Sequence, residues 1–125
     1  VRRDFTLNSM AMDKNGKIVD PFNGQDHLNQ KILYTPLDAD ITFNDDPLRC
    51  LRGIRFSITK DFRMCSDILE VIHTFDYESK FSVVSEERIR EELYKCFKHD
   101  TYKTLTLLTS FPKLENYKFT KTNLW

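Results

Sequence analysis

The chain has 125 residues, enough for one domain with a real core, and its 19 basic side chains cancel against 19 acidic ones. That balance excludes a global field of the kind that draws a whole protein onto nucleic acid, so any such binding has to be local. No apolar run approaches membrane-span length and no charged-then-apolar leader opens the chain, which sets the expectation of a cytoplasmic (intracellular) protein with no membrane partner.

Behind Arg2 and Arg3, the stretch "DFTLNSMAMD" (Asp4 to Asp13) spaces Phe5, Met10 and Met12 as on a helix, with Asp4 placed to cap it. "KNGKIVDPF" then predicts a turn at Asn15-Gly16, a short strand and a stop at Asp20-Pro21. "GQDHLNQKILYT" predicts a short helix running into a strand from Ile32 to Thr35. Asp38 to Asn44 reads as a junction loop between a mixed first part, 1–40, and a helical second part, 41–125. In Pro47 to Ile58 the residues Leu51, Ile54 and Ile58 share a face, with Arg49 on the other side. Met64 to Phe75 aligns Ile68, Leu69, Val71 and Ile72. Ser85 to Phe97 starts at a serine cap with two glutamates in its first turn and sends Ile89, Leu93, Cys96 and Phe97 inward. "TYKTLTLLTSF" predicts a weaker last helix that Pro112 ends, and the basic "NYKFTKTNLW" a truncated connection. The fold class is mainly α with a small β element (α+β).

Cys50, Cys65 and Cys96 are an odd number with no close pair, so they read as reduced thiols. His27, His73 and His99 lack metal-ligand spacing, and no metal site is expected in the chain. Phe43, Phe56, Phe81 and Phe111 read as core rather than as stacking surfaces.

The chemistry concentrates in "TFNDDPLRCLRGIRF" (Thr42 to Phe56). Asp46 before Pro47 is the pattern of an N-cap followed by proline at the first helical position, and that alone accounts for Asp46. It does not account for Arg49, Arg52 and Arg55, since the helix dipole favours acids near its start. A solvated stripe is the plain reading. Arginine chosen each time over lysine points instead to a phosphate or a planar edge. Asp46 and Arg49, three apart, set an acceptor beside a donor. Cytosine (N4 amino, N3) and adenine (N6 amino, N1) complement that edge, whereas uracil and guanine present the reverse order. At the N-terminus the plain reading has Asp4 as a cap and Arg3 solvated. The functional one has Arg3 on a triphosphate and Asp4 accepting from a ribose hydroxyl.

"RRDFTLNSMAMDKNGKIVDPFNGQDHL", "DDPLRCLRGIRF" and "VSEERIREEL", in that order, resemble the class II tRNA nucleotidyltransferases, the CCA-adding enzymes, and their relatives the bacterial poly(A) polymerases. The resemblance covers nearly the whole chain. It implies the C-terminal part of a polymerase-β-like head over 1–40, then a helical neck and the start of the body over 41–125. It implies a nucleotidyltransferase that adds C and A to the tRNA 3′ end from CTP and ATP, with a poly(A) polymerase as the alternative. A non-catalytic helical module that binds RNA or protein is the reading from another class. Nucleotide-binding roles fall to Arg3, Asp4, Asp46, Arg49, Arg52 and Arg55, supported by Asn8 and by Asp45, which stands where the family usually has Glu. The family's Mg²⁺ pair, Asp-x-Asp behind a Gly-Ser motif, does not occur, and Asp38-Ala39-Asp40 reads as a chance match. Val1 and Leu124-Trp125 read as cut ends. The expectation is an excerpt inactive by itself, with Mg²⁺ held by a missing head segment that two-metal phosphoryl transfer requires, whether in the same or a separate chain.

Overall fold

The computed structural model describes residues 5–6, 11–12 and 14–120. A hairpin comes first: β1 (Ala11–Met12) pairs antiparallel with β2 (Ile18–Val19), Ala11 opposite Val19. Gly16, at φ 82°, supplies the left-handed residue between them. The helix expected over Asp4 to Asp13 is therefore strand at 11–12. An apolar spacing carried by three residues is outweighed there by backbone pairing with β2. Positions 7–10 lie outside the described residues.

Helix α1 (Gly24–Gln30) is anchored from outside, because the Asp20 carboxylate accepts from Gly24 N at 2.6 Å and Gln25 N at 2.9 Å. Those N–H groups have no partner within the helix. Lys31, at φ 57°, turns the chain into β3 (Ile32–Leu33). This strand pairs in parallel with β4 (Arg63–Met64), Ile32 opposite Arg63 and Leu33 opposite Met64.

The expected junction loop is a helix, α2 (Ala39–Asp45), which buries Ala39, Thr42 and Phe43. Ala39 and Phe43 are four apart and Thr42 lies between them, a one-turn stripe too short for a periodicity argument to detect. Next come α3 (Leu48–Thr59) and, after β4, α4 (Ser66–Thr74). Ile68 and Ile72 of α4 are buried, but Leu69 faces outward, since four apolar residues within five positions cannot share one face at 100° per residue. A short α5 (Tyr77–Lys80), capped by Asp76 at 3.3 Å from Ser79 N, runs into a 3₁₀ turn at Phe81–Val83.

Helix α6 (Glu86–His99) begins where expected, with Ser85 Oγ accepting from Arg88 N at 3.2 Å. Asp100 caps α7 (Thr101–Thr109), accepting from Lys103 N at 2.9 Å. Pro112 starts α8 (Pro112–Thr120) rather than closing a helix, as its missing N–H costs nothing in a first turn. Part of the expected connection after Asn116 is therefore helical.

One buried cluster runs through these elements, from Phe5 and Leu33 through Phe43, Ile54, Ile72, Phe81 and Ile89 to Leu114 and Tyr117. Phe43, Phe81 and Phe111 are core, as read from the sequence, and Phe56 is partly buried, edge-on to Phe5 at 5.7 Å. Phe5 also lies on α3 at Gly53, where an added Cβ would stand 3.3 Å from Phe5 Cζ. Among the described residues no helix is long and apolar enough to cross a membrane.

Candidate nucleotide-binding site

The corner where α2 hands over to α3 is built by Asp46. Its backbone is extended (φ −145°) and its N–H donates to Thr42 O at 3.4 Å, closing α2. Its Oδ1 accepts from Leu48 N at 3.2 Å and its carbonyl from Arg49 N at 3.0 Å, opening α3. Asp46 thus supplies the capping bond at the start of α3, and Pro47, at φ −58°, already has helical backbone angles just before it. Oδ2 faces Arg88 Nη2 of α6 at 3.6 Å, with the Asp46 side chain about a third exposed.

Arg49 rises from the first turn of α3 and turns back towards α2. Its Nη1 donates to Thr42 O at 3.1 Å and to Asp45 Oδ2 at 3.3 Å, with 14% of the side chain exposed. The last turn of α2 carries carbonyls with lone pairs to spare and the negative end of its dipole, so a guanidinium belongs there. Asp45, the last residue of α2, reaches Arg49 of α3 across the bend at Asp46, a span its short side chain covers.

Arg52 is half-buried, its Nε shielded from solvent. Arg55 donates from Nε to Glu92 Oε2 of α6 at 2.5 Å, in an ion pair whose side chains are 21% and 9% exposed. The arginine stripe is therefore not a solvated face: Arg49 is held at the α2–α3 corner and Arg55 against α6. Asp45, Asp46 and Arg49 come together, and Arg55 lies at the other end of α3. Arg3, Asp4 and Asn8 fall outside the described residues.

Two residues escaped the sequence reading, Arg88 and Glu92. The signal for Glu92 was an acid set among Ile89, Leu93 and Cys96 on the inward side of α6, where a carboxylate needs a cation. Nothing comparable marks Arg88.

Cys50, one residue beyond Arg49, is no nucleophile. Burial, and then the charge of Asp46, push its thiol well above the ordinary cysteine range. Nor do the residues fit Mg²⁺, since among those described no three His, Cys, Asp or Glu side chains converge. Asp38 and Asp40 are exposed on either side of buried Ala39, and Asp40 Oδ1 accepts from Asn44 Nδ2 at 3.1 Å. Hollows of about 430 Å³, beside Tyr77 and Tyr117, and about 450 Å³, beside Leu37 and Ile41, are lined by none of the arginines of α3.

A family profile described as the poly A polymerase head domain matches residues 1–34. The CCA-adding enzyme of Oceanobacillus iheyensis is 42% identical over 96 residues, 77% of this chain and 24% of that protein. The CCA-adding enzyme of Bacillus stearothermophilus, solved in complex with CTP, matches the fold with a TM-score of 0.80 at 32% identity, over 90% of this chain and 28% of its own. These matches support a segment of the class II tRNA nucleotidyltransferase family, the CCA-adding enzymes. Another structure of that family, the Thermotoga maritima CCA-adding enzyme complexed with tRNA-CCA, matches with a TM-score of 0.78 at 28% identity, over 90% of this chain and 28% of its own. The chain spans about a quarter of the length of the curated relatives it matches. Its mainly helical architecture is that of the family's polymerase-β-like head passing into its helical neck.

Proposed function

We propose that this chain is the nucleotide-binding and base-selecting portion of a cytoplasmic tRNA nucleotidyltransferase that adds C and A to the tRNA 3′ end from CTP and ATP. The observation that carries the reading is the preset corner. Asp46 is fixed through Oδ1 on Leu48 N, and Arg49 through Nη1 on Thr42 O and Asp45. The remaining carboxylate edge and the rest of the guanidinium fork present an acceptor beside a donor without a folding cost at binding. Residues 1–40 form the end of the head and 41–125 the neck and start of the body. Arg3 meets the triphosphate and Asp4 the ribose, supported by Asn8, while Arg52 and Arg55 line the same helix behind the base-reading pair. Mg²⁺, which assists phosphoryl transfer as a Lewis acid, is no part of what the described residues supply.

The test is a charge exchange. Asp46→Arg together with Arg49→Asp in the complete protein is expected to move preference from CTP and ATP towards UTP and GTP, read by incorporation into tRNA. Unchanged selection of CTP and ATP overturns the base-reading role. The match of residues 1–34 to a poly A polymerase head supports a second reading, addition of A alone. Incubating the complete protein with tRNA and each nucleotide decides between them: incorporated C establishes CCA addition, and A alone establishes poly(A) addition.

A further inference from the structure

We infer that Arg88 of α6 is a specificity-determining positioning residue, which fixes the direction of the Asp46 carboxylate at the base-reading edge. The inference rests on the base-reading role proposed for Asp46. A carboxylate rotates broadly about its last torsion, and the single bond from Leu48 N to Oδ1 restrains only one oxygen. The second oxygen is the one left for a base, and Arg88 Nη2 stands 3.6 Å from it. That separation exceeds a hydrogen bond, so Arg88 attracts the charge without occupying the lone pairs an incoming amino group needs. Arg88 is itself well placed, since its backbone N–H closes the Ser85 cap and α6 packs along α3.

Its other possible task, stability, is a poor match to the geometry. The side chains are 54% and 35% exposed, and an ion pair so open to water contributes little to folding. Glu92, one turn further along α6, is the contrast, a buried carboxylate held on Arg55. Elsewhere on α6, Arg90 stands 3.9 Å from Glu86.

The experiment compares Arg88→Gln and Arg88→Lys in the complete protein, measuring incorporation of each nucleotide and thermal unfolding. Arg88→Gln is expected to lower discrimination of CTP against UTP on the order of fivefold, the reach of one weak ion pair, with an unchanged midpoint. Arg88→Lys, which keeps the charge, is expected to restore most of it. Discrimination within about twofold of the parent, or an equal rise in KM for every nucleotide, overturns the inference, as does unfolding of Arg88→Gln. The Asp46–Arg49 exchange run alongside separates the two ideas. If it redirects selection while Arg88→Gln does not, only the role of Arg88 falls.

Discussion

Arg55 and Glu92 show how the destination of one side chain depends on what faces it. A stripe of arginines suggested three ligands for one nucleotide, yet the Nε of Arg55 is committed to Glu92 at 2.5 Å in a setting with little water. Removing one partner from a buried pair strands the other's charge. Glu92→Leu is therefore expected to destabilise the protein by about 3 kcal/mol in urea denaturation, at the low end for such pairs because Arg55 reaches partly into solvent. A loss under about 1 kcal/mol would show the pair to behave as a surface contact. Thiols respond to the same environment. Cys65 is half-exposed whereas Cys50 and Cys96 are buried, so brief alkylation of the native protein at neutral pH is expected to mark Cys65 first, read by peptide mass. At this scale the Asp46-Pro47 start was legible because both bonding partners lie within four residues. The anchor of Arg49 was not, since its acceptor, Thr42 O, belongs to a helix too short to show in the sequence.

Among the elements, legibility followed length and capping. Helices α3 and α6 span three turns or more with a clear stripe, and α6 adds its serine cap. The seven residues of α2, the four of α5 and the two of β4 give no repeat to detect. Pro112 was ambiguous in kind, because proline at the end of one helix and at the start of the next look alike in sequence. The packing of Phe5 on α3 is the element-scale feature closest to the site. Gly53→Ala would place a methyl 3.3 Å from the Phe5 ring and 3.7 Å from Met64 Sδ. Crowding of this kind costs about 1–3 kcal/mol. Alanine's better helix propensity returns about 1 kcal/mol. A net loss of about 1 kcal/mol is expected, measured as a lower midpoint of thermal unfolding. An unchanged or raised midpoint would mean that Phe5 yields freely.

Taken whole, the molecule stores a dependence on alkali. Burial first, then the charge of Glu92 against that of Arg55, pushes the Cys96 thiol up to about 12, and burial also raises Cys50 and Tyr77. Each group holds its proton in the fold beyond the pH at which the unfolded chain gives it up, from 9.0 for the thiols and 10.0 for the phenol. The unfolded state therefore binds fewer protons across that interval, and stability, complete below it, declines as pH rises towards the folded values. Urea midpoints are expected to fall steadily above about pH 9 and to be flat for these groups nearer neutrality. Substituting Cys96→Ala should shallow the decline. The mainly helical class with a small β part was legible from the sequence. The way one buried cluster joins Phe5 and Leu33 to the later helices was not, since no local pattern reports a contact as distant in sequence as that of Phe5 with Phe56.

The parallel pair of β3 and β4 brings Leu33 beside Met64 and, through Lys31 O, takes the N–H of Arg63 at 2.8 Å. Two strands of two residues are a small rivet, but they fasten the stretch before α2 to the stretch after α3 and enclose both helices in a closed loop of chain. The corner between α2 and α3 sits inside that loop. If the protein bends when a ligand enters, the corner should travel as a passenger of this fastened block, with the bending taken up outside it.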